Sequence, residues 1–229
     1  MSAVFALVFK RLLSQRFTLL MWLGFPLAVL VIPMFDDTQP PVGPFGLFGL
    51  VIMFTSFLIS KQIIEDRQLR TVVRIAASPI SHRDYLLGHL LGYALIMTVQ
   101  VILFVVISAW RYPAGFTFYL PASALLWVFS LMCVTLALFW HTFFKSFNTS
   151  LSIFSIGANL MAVMGGMMFP LSVMPDRMRS VAVILPTYWF AFGLEEAARN
   201  VVSSVLLSLA ILVGFGIIFI TIGSKRSYE

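Results

Sequence analysis

Glu65-Asp66-Arg67-Gln68-Leu69-Arg70-Thr71-Val72-Val73-Arg74-Ile75-Ala76-Ala77-Ser78-Pro79-Ile80-Ser81-His82-Arg83-Asp84-Tyr85-Leu86-Leu87-Gly88 lies between two long apolar runs, Gly43–Ser60 and Tyr85–Trp110. Read as a helix, Ile63, Ile64, Leu69, Val72, Val73 and Ile75 form its apolar side, and Glu65, Asp66, Arg67, Arg70 and Arg74 its wet side. Asp66 and Arg70 make a favourable i,i+4 pair, whereas Arg70 and Arg74 repel. Pro79 disfavours helical geometry at Ser78 and ends the helix. Ser81-x-x-Asp84 then resembles a capping box that opens the next helix. A charged, amphipathic segment held between two apolar runs belongs at a membrane surface, where it can serve as a handle for a soluble partner.

The rest of the chain is built for lipid. Of its 229 residues 60% are hydrophobic and 10% charged, and the mean hydropathy is +0.99. Soluble domains carry about 25% charged residues. A helix needs ~20 mostly apolar residues to cross the hydrocarbon. Such runs occur at Phe17–Phe35, Gly43–Ser60, Tyr85–Trp110, Phe118–Trp140, Asn148–Phe169 and Val201–Gly223. They predict an all-α membrane protein of six transmembrane helices, a single domain over residues 1–229, with no room for a separate soluble unit.

Met1–Arg16 mixes Phe5, Leu12 and Leu13 with Lys10, Arg11 and Arg16, and reads as an interfacial helix, not as a cleaved leader. Of the 15 Lys and Arg residues, Arg111, Arg177, Arg179 and Arg199 fall on one side of the predicted topology and the others on the opposite side. The positive-inside rule therefore places both termini and the Glu65–Gly88 segment in the cytoplasm. A net charge of +6 distributed in this way follows topology and does not form a nucleic-acid face.

Two further stretches stand out. Met161–Pro170 holds a methionine cluster around Gly165-Gly166. Thioethers can ligate Cu(I), but no Cys or His joins them, and an adaptable end suited to close helix approach is the expected role. Pro170–Phe190 is too interrupted to span and too apolar for an ordinary loop. A re-entrant helical hairpin over residues 170–192 fits it, with Tyr188 and Trp189 at headgroup depth and Glu195, Glu196 and Arg199 marking the mouth of the last span.

What is missing narrows the chemistry. No Asp, Glu, Lys or Arg falls mid-span, unlike the ionisable groups of ion-coupled carriers. Gln100 and Asn159 are the most polar deep residues, and each is expected to make an interhelical hydrogen bond. With Met164 they are the candidates for a substrate path. No phosphate-binding loop is present. Cys133 is the only cysteine, a small apolar side chain within a span. His82, His89 and His141 are scattered: His82 and His141 are expected at the interface, and the three share no metal-binding spacing. No catalytic, cofactor-binding or metal site is predicted.

At Glu65–Gly88 the chain resembles the segment after the second span of ABC-2-type transporter permeases, usually Glu-x-Glu-Arg-Gly-Thr-x-x-x-Leu-x-x-(Ser/Ala)-Pro-(Val/Ile)-(Ser/Thr). Phe169-Pro170-Leu171-Ser172-x-Met174-Pro175 and Leu185-Pro186-Thr187-Tyr188-Trp189 are similar to that family's stretch before the last span. The Gly after Arg is absent here, and the Asp36–Gly43 loop is shorter than in relatives with a bulky external domain. The resemblance implies an exporter half in a bacterial cytoplasmic membrane, working with a second permease subunit, as a homodimer or a heterodimer, and a separate ABC ATPase that binds ATP and Mg. It implies a cytoplasmic coupling helix within residues 61–84, with Glu65, Asp66, Arg67, Leu69, Arg70, Val73 and Arg74 facing the ATPase. It also implies an outer gate at Pro170, Met174, Pro175, Pro186, Tyr188 and Trp189. An interior rich in Phe and Met suits a hydrophobic or amphipathic drug, antibiotic or peptide. Lipid-linked polysaccharide is the rival cargo, and a non-transporting scaffold or a membrane-embedded enzyme are the readings from other classes.

Overall fold

The computed structural model describes residues 24, 26–29, 41–62, 64, 82–112 and 114–225, with backbone alone at 82–89, 224 and 225. The described residues are helical, without strands. The elements are α1 (Val42–Ile59), α2 (His82–Arg111), α3 (Phe116–His141), α4 (Phe147–Met164), a 3-10 turn (Leu171–Val173), α5 (Asp176–Ala182), α6 (Pro186–Ala198) and α7 (Val202–Lys225). Five of these contain stretches long and apolar enough to cross a membrane: Val42–Ile59, Leu90–Arg111, Phe116–His141, Phe147–Met164 and Val202–Gly223. They correspond to five of the six predicted spans. Most of the first predicted span, the Met1–Arg16 segment and the Glu65–Ser81 stretch lie outside the described residues.

The bundle is organised on α3, which packs against α1, α2, α6 and α7. One end, the hairpin end, gathers Pro41, Tyr112, Phe118, the 165–170 bend, α5 and α6. The other, the histidine end, gathers Ser60, His141, Phe147 and Gly223. Helix α1 is 67% buried and α7 only 17%, so α1 is an interior helix and α7 a peripheral one. Phenylalanine fills the interior. Phe48 stacks on Phe104 at 3.7 Å, Phe57 on Phe154 at 4.2 Å and Phe129 on Phe190 at 4.2 Å. Without a hydrophobic drive between helices in lipid, such dispersion contacts hold the bundle together. These rings pack against one another within the described helices.

Two helix ends differ from the sequence expectation. The fifth predicted span runs to Phe169, but α4 stops at Met164. Gly166 has φ +81°. Its N–H bonds the Val163 carbonyl, and the Met167 N–H bonds that of Ala162. This Schellman closure needs a residue able to adopt the left-handed conformation. The predicted hairpin ends at residue 192, yet α6 runs on to Ala198. It closes in the same way through Asn200 at φ 60°, with Asn200 N–H on Ala197 O and Val201 N–H on Glu196 O.

Candidate functional site

Pro175 precedes α5 and Pro186 opens α6 at its first turn, where a missing N–H costs nothing. Between them Leu171, Ala182 and Tyr188 form a small core of their own, with Met174, Trp189 and Phe192 packed against it. The expected gate residues Met174, Tyr188 and Trp189 are thus brought together. Pro170, Pro175 and Pro186 are not part of that cluster and instead set element boundaries. Tyr188 is 6% exposed, so its ring packs inside the hairpin instead of lying free at a headgroup surface. The Trp189 indole donates to Val183 O at 2.9 Å. Arg179 hydrogen-bonds the Tyr188 side chain, which holds its guanidinium above the ordinary value.

Two ties that sequence reasoning missed hold the hairpin in place, and a third contact braces the end of α6. The buried Thr187 hydroxyl donates to Met161 O at 2.7 Å, joining the start of α6 to the last turn of α4. Glu195 Oε1 accepts the Leu171 N–H at 2.8 Å, joining the 3-10 turn to the end of α6. Arg199 donates to Glu196 Oε1 at 2.9 Å and lies 4.0 Å from Glu195 Oε2. The acidic pair read as marking a mouth is therefore a structural anchor. A carboxylate four residues before an arginine was the available signal.

Glycines permit the close approach beneath. A Cβ at Gly46 would strike the Met167 carbonyl, one at Gly49 the Met167 and Phe190 side chains, and one at Gly165 the Thr187 hydroxyl. Met167 is 3% exposed. The methionine cluster is thus tightly seated at this position, as close helix approach requires. Beside it a cavity of about 470 Å³ opens among Pro41, Gly43, Gly166, Pro170, Glu195 and Arg199.

The substrate-path candidates do not converge. Gln100 is buried and donates to Thr55 Oγ1 at 3.4 Å, the expected bond between helices. Asn159 departs from expectation. It is exposed and donates to Ser155 O of its own helix at 2.8 Å. Ser152 is also exposed and bonds Asn148 O at 3.0 Å. Helix α4 therefore turns a polar stripe away from its own bundle. Met164, half-buried, ends that helix. The coupling residues Glu65, Asp66, Arg67, Leu69, Arg70, Val73 and Arg74 lie outside the described residues.

At the histidine end a second polar group appears where an interfacial residue was expected. His141, the last residue of α3, is fully buried. Its Nε2 lies 2.9 Å from Ser60 Oγ and 3.4 Å from Phe57 O, and its Nδ1 3.4 Å from Ser150 Oγ.

A bundle of apolar helices, one end closed by a helical hairpin on a Gly-Gly bend, defines a polytopic membrane protein. Residues 42–225 match the family model described as ABC-2 family transporter protein, and the chain belongs to that family. It is similar to the linearmycin resistance permease protein LnrN of Bacillus subtilis (strain 168), at 24% identity over 194 residues, covering 83% of this chain and 49% of the relative. The chain spans about half the length of that curated relative. Permeases of this family generally work with an ATPase subunit.

Proposed function

We propose that this chain is the membrane-spanning half of an ATP-driven exporter that moves a hydrophobic or amphipathic drug, antibiotic or peptide out of a bacterial cell. A second permease copy completes the path, and a separate ABC ATPase binds ATP and Mg. The observation that carries the reading is the outward face of α4. Its Ser152 and Asn159 side chains are turned from the other described helices, and the hydrogen bonds they make, to Asn148 O and Ser155 O, stay on their own helix. Polar groups at membrane depth face protein or a water-filled cavity, not acyl chains. A second copy across a polar path meets that requirement. The antibiotic class of cargo is supported by the likeness to a linearmycin resistance permease.

Energy enters through the Glu65–Ala77 coupling segment on the cytoplasmic side. Nucleotide binding by the ATPase biases two arrangements of the paired spans, as differential affinity for two states must. The hairpin, tied to α4 and to the end of α6, closes the exit as a unit. The test is a mild-detergent purification of the tagged chain with ATPase measurement of the eluate. A co-purifying ATPase with a phosphate loop is expected. Recovery of the permease alone from cells expressing its whole operon rejects the exporter reading.

A further inference from the structure

His141 gathers polar contacts from two other helices. The residue sits where α1 ends, α3 ends and α4 begins. Nε2 lies between two oxygens of the α1 end, Ser60 Oγ at 2.9 Å and Phe57 O at 3.4 Å. The single proton of the Ser60 hydroxyl has the Ser56 and Phe57 carbonyls in reach, each at 2.9 Å, and when it is directed to them its oxygen accepts from the ring. Nδ1 faces the Ser150 hydroxyl at 3.4 Å. The ring thus meets α1 through one nitrogen and α4 through the other.

Apolar and cationic contacts brace the same corner. The His141 ring lies 4.5 Å from the Phe57 ring, and the Trp140 indole donates to Ser150 O at 3.4 Å. Lys61 Nζ sits 5.1 Å over the Phe147 ring. Lys61 is the first residue after Ser60, and four residues later the chain enters the segment read as the ATPase handle. A handle can move a bundle only through a junction that does not yield.

We propose that His141 is a positioning residue that clasps the end of α1 to the α3–α4 corner and passes movement of the coupling segment to α4. This role rests on the exporter reading above. It predicts that breaking the clasp separates ATP hydrolysis from the motion of α4, while a merely structural histidine would lower both together.

The test uses the full chain with its ATPase in nanodiscs, with Cys133→Ser and Ser152→Cys to report α4. Maleimide labelling is compared with and without Mg-ATP and vanadate, alongside the hydrolysis rate. In the parent complex labelling changes with nucleotide. His141→Leu is expected to shrink that change about tenfold, the size of an ordinary coupling between sites, with hydrolysis continuing. His141→Gln, which keeps an N–H for Ser60, restores most of it. Ser60→Ala gives a gentler break should His141→Leu fold poorly, and is expected to lose the change in part.

A full nucleotide-dependent change in His141→Leu or in Ser60→Ala overturns the clasp. Equal recovery by His141→Ala and His141→Gln also overturns it. Absence of any ATPase from the parent preparation is a different result: it overturns the exporter reading and the coupling role with it.

Discussion

Gly166 shows how a single residue sets an element's length. At φ +81° an L side chain is strained whatever space surrounds it, and here the Leu171 side chain occupies the place of a Cβ. Gly166→Ala is expected to cost roughly 1–2 kcal/mol from the left-handed backbone alone, read as a lowered thermal midpoint of the detergent-solubilised protein. Glu195 makes a separate prediction. Its carboxylate holds the Leu171 N–H, so Glu195→Ala leaves a donor without that partner, at about 1–3 kcal/mol. Hydrogen exchange at the Leu171 amide is expected to quicken in Glu195→Ala and to stay near the parent rate in Glu195→Gln, which retains the acceptor. Equal rates in the two variants would remove Glu195 from its anchoring role.

The hairpin and the coupling segment are the two elements that move cargo in the proposed cycle, and their sequence origins differ. The coupling segment is legible as charge placed on an amphipathic helix between apolar runs. Arg70→Glu combined with Arg74→Glu reverses its basic face without touching a span. That double variant is expected to insert normally, to bind the ATPase weakly and to lose export by at least about tenfold, on the scale of a 1–3 kcal/mol coupling. Export at the parent rate with normal expression would reject the assignment. The hairpin is legible only as a pattern of prolines and apolar residues too short to span. Its rigidity comes from Thr187 on Met161 O and Glu195 on Leu171 N, contacts across 26 and 24 positions of chain.

For the molecule as a whole, exposure is uneven in an informative way. The membrane window of α4 is 22% buried and that of α7 17%, but the uncovered faces differ in chemistry. Helix α7 shows Leu206, Leu207, Val213 and Ile217, as lipid demands. Helix α4 shows Ser152 and Asn159 among Ile153, Ile156 and Leu160. Cysteine substitution in a Cys133→Ser background separates these faces. Asn159→Cys is expected to form a cross-linked dimer in membranes with a short bifunctional reagent, and Leu207→Cys to remain monomeric. The reverse pattern would place the second copy against α7 and withdraw the path from α4.

Membrane residence, the all-helical class and the positions of the five described spans follow from composition and the length of apolar runs. Inside hydrocarbon every backbone polar group must be satisfied, and apolar runs of about 20 residues meet that need as helices, not as the shorter strands of a barrel. Membership of the permease family follows from residues 42–225 in the same way. Which polar residues face inward does not follow, because depth along a span says nothing about its rotation. Gln100 and Asn159 look alike in sequence, yet one bonds Thr55 on a neighbouring helix and the other turns out of the bundle. His141 reads as a span-end histidine until the fold brings Ser60 and Ser150 to its two ring nitrogens. Local sequence sets hydrophobic length and helix stops; contacts between residues far apart in the chain exist only once the helices have packed.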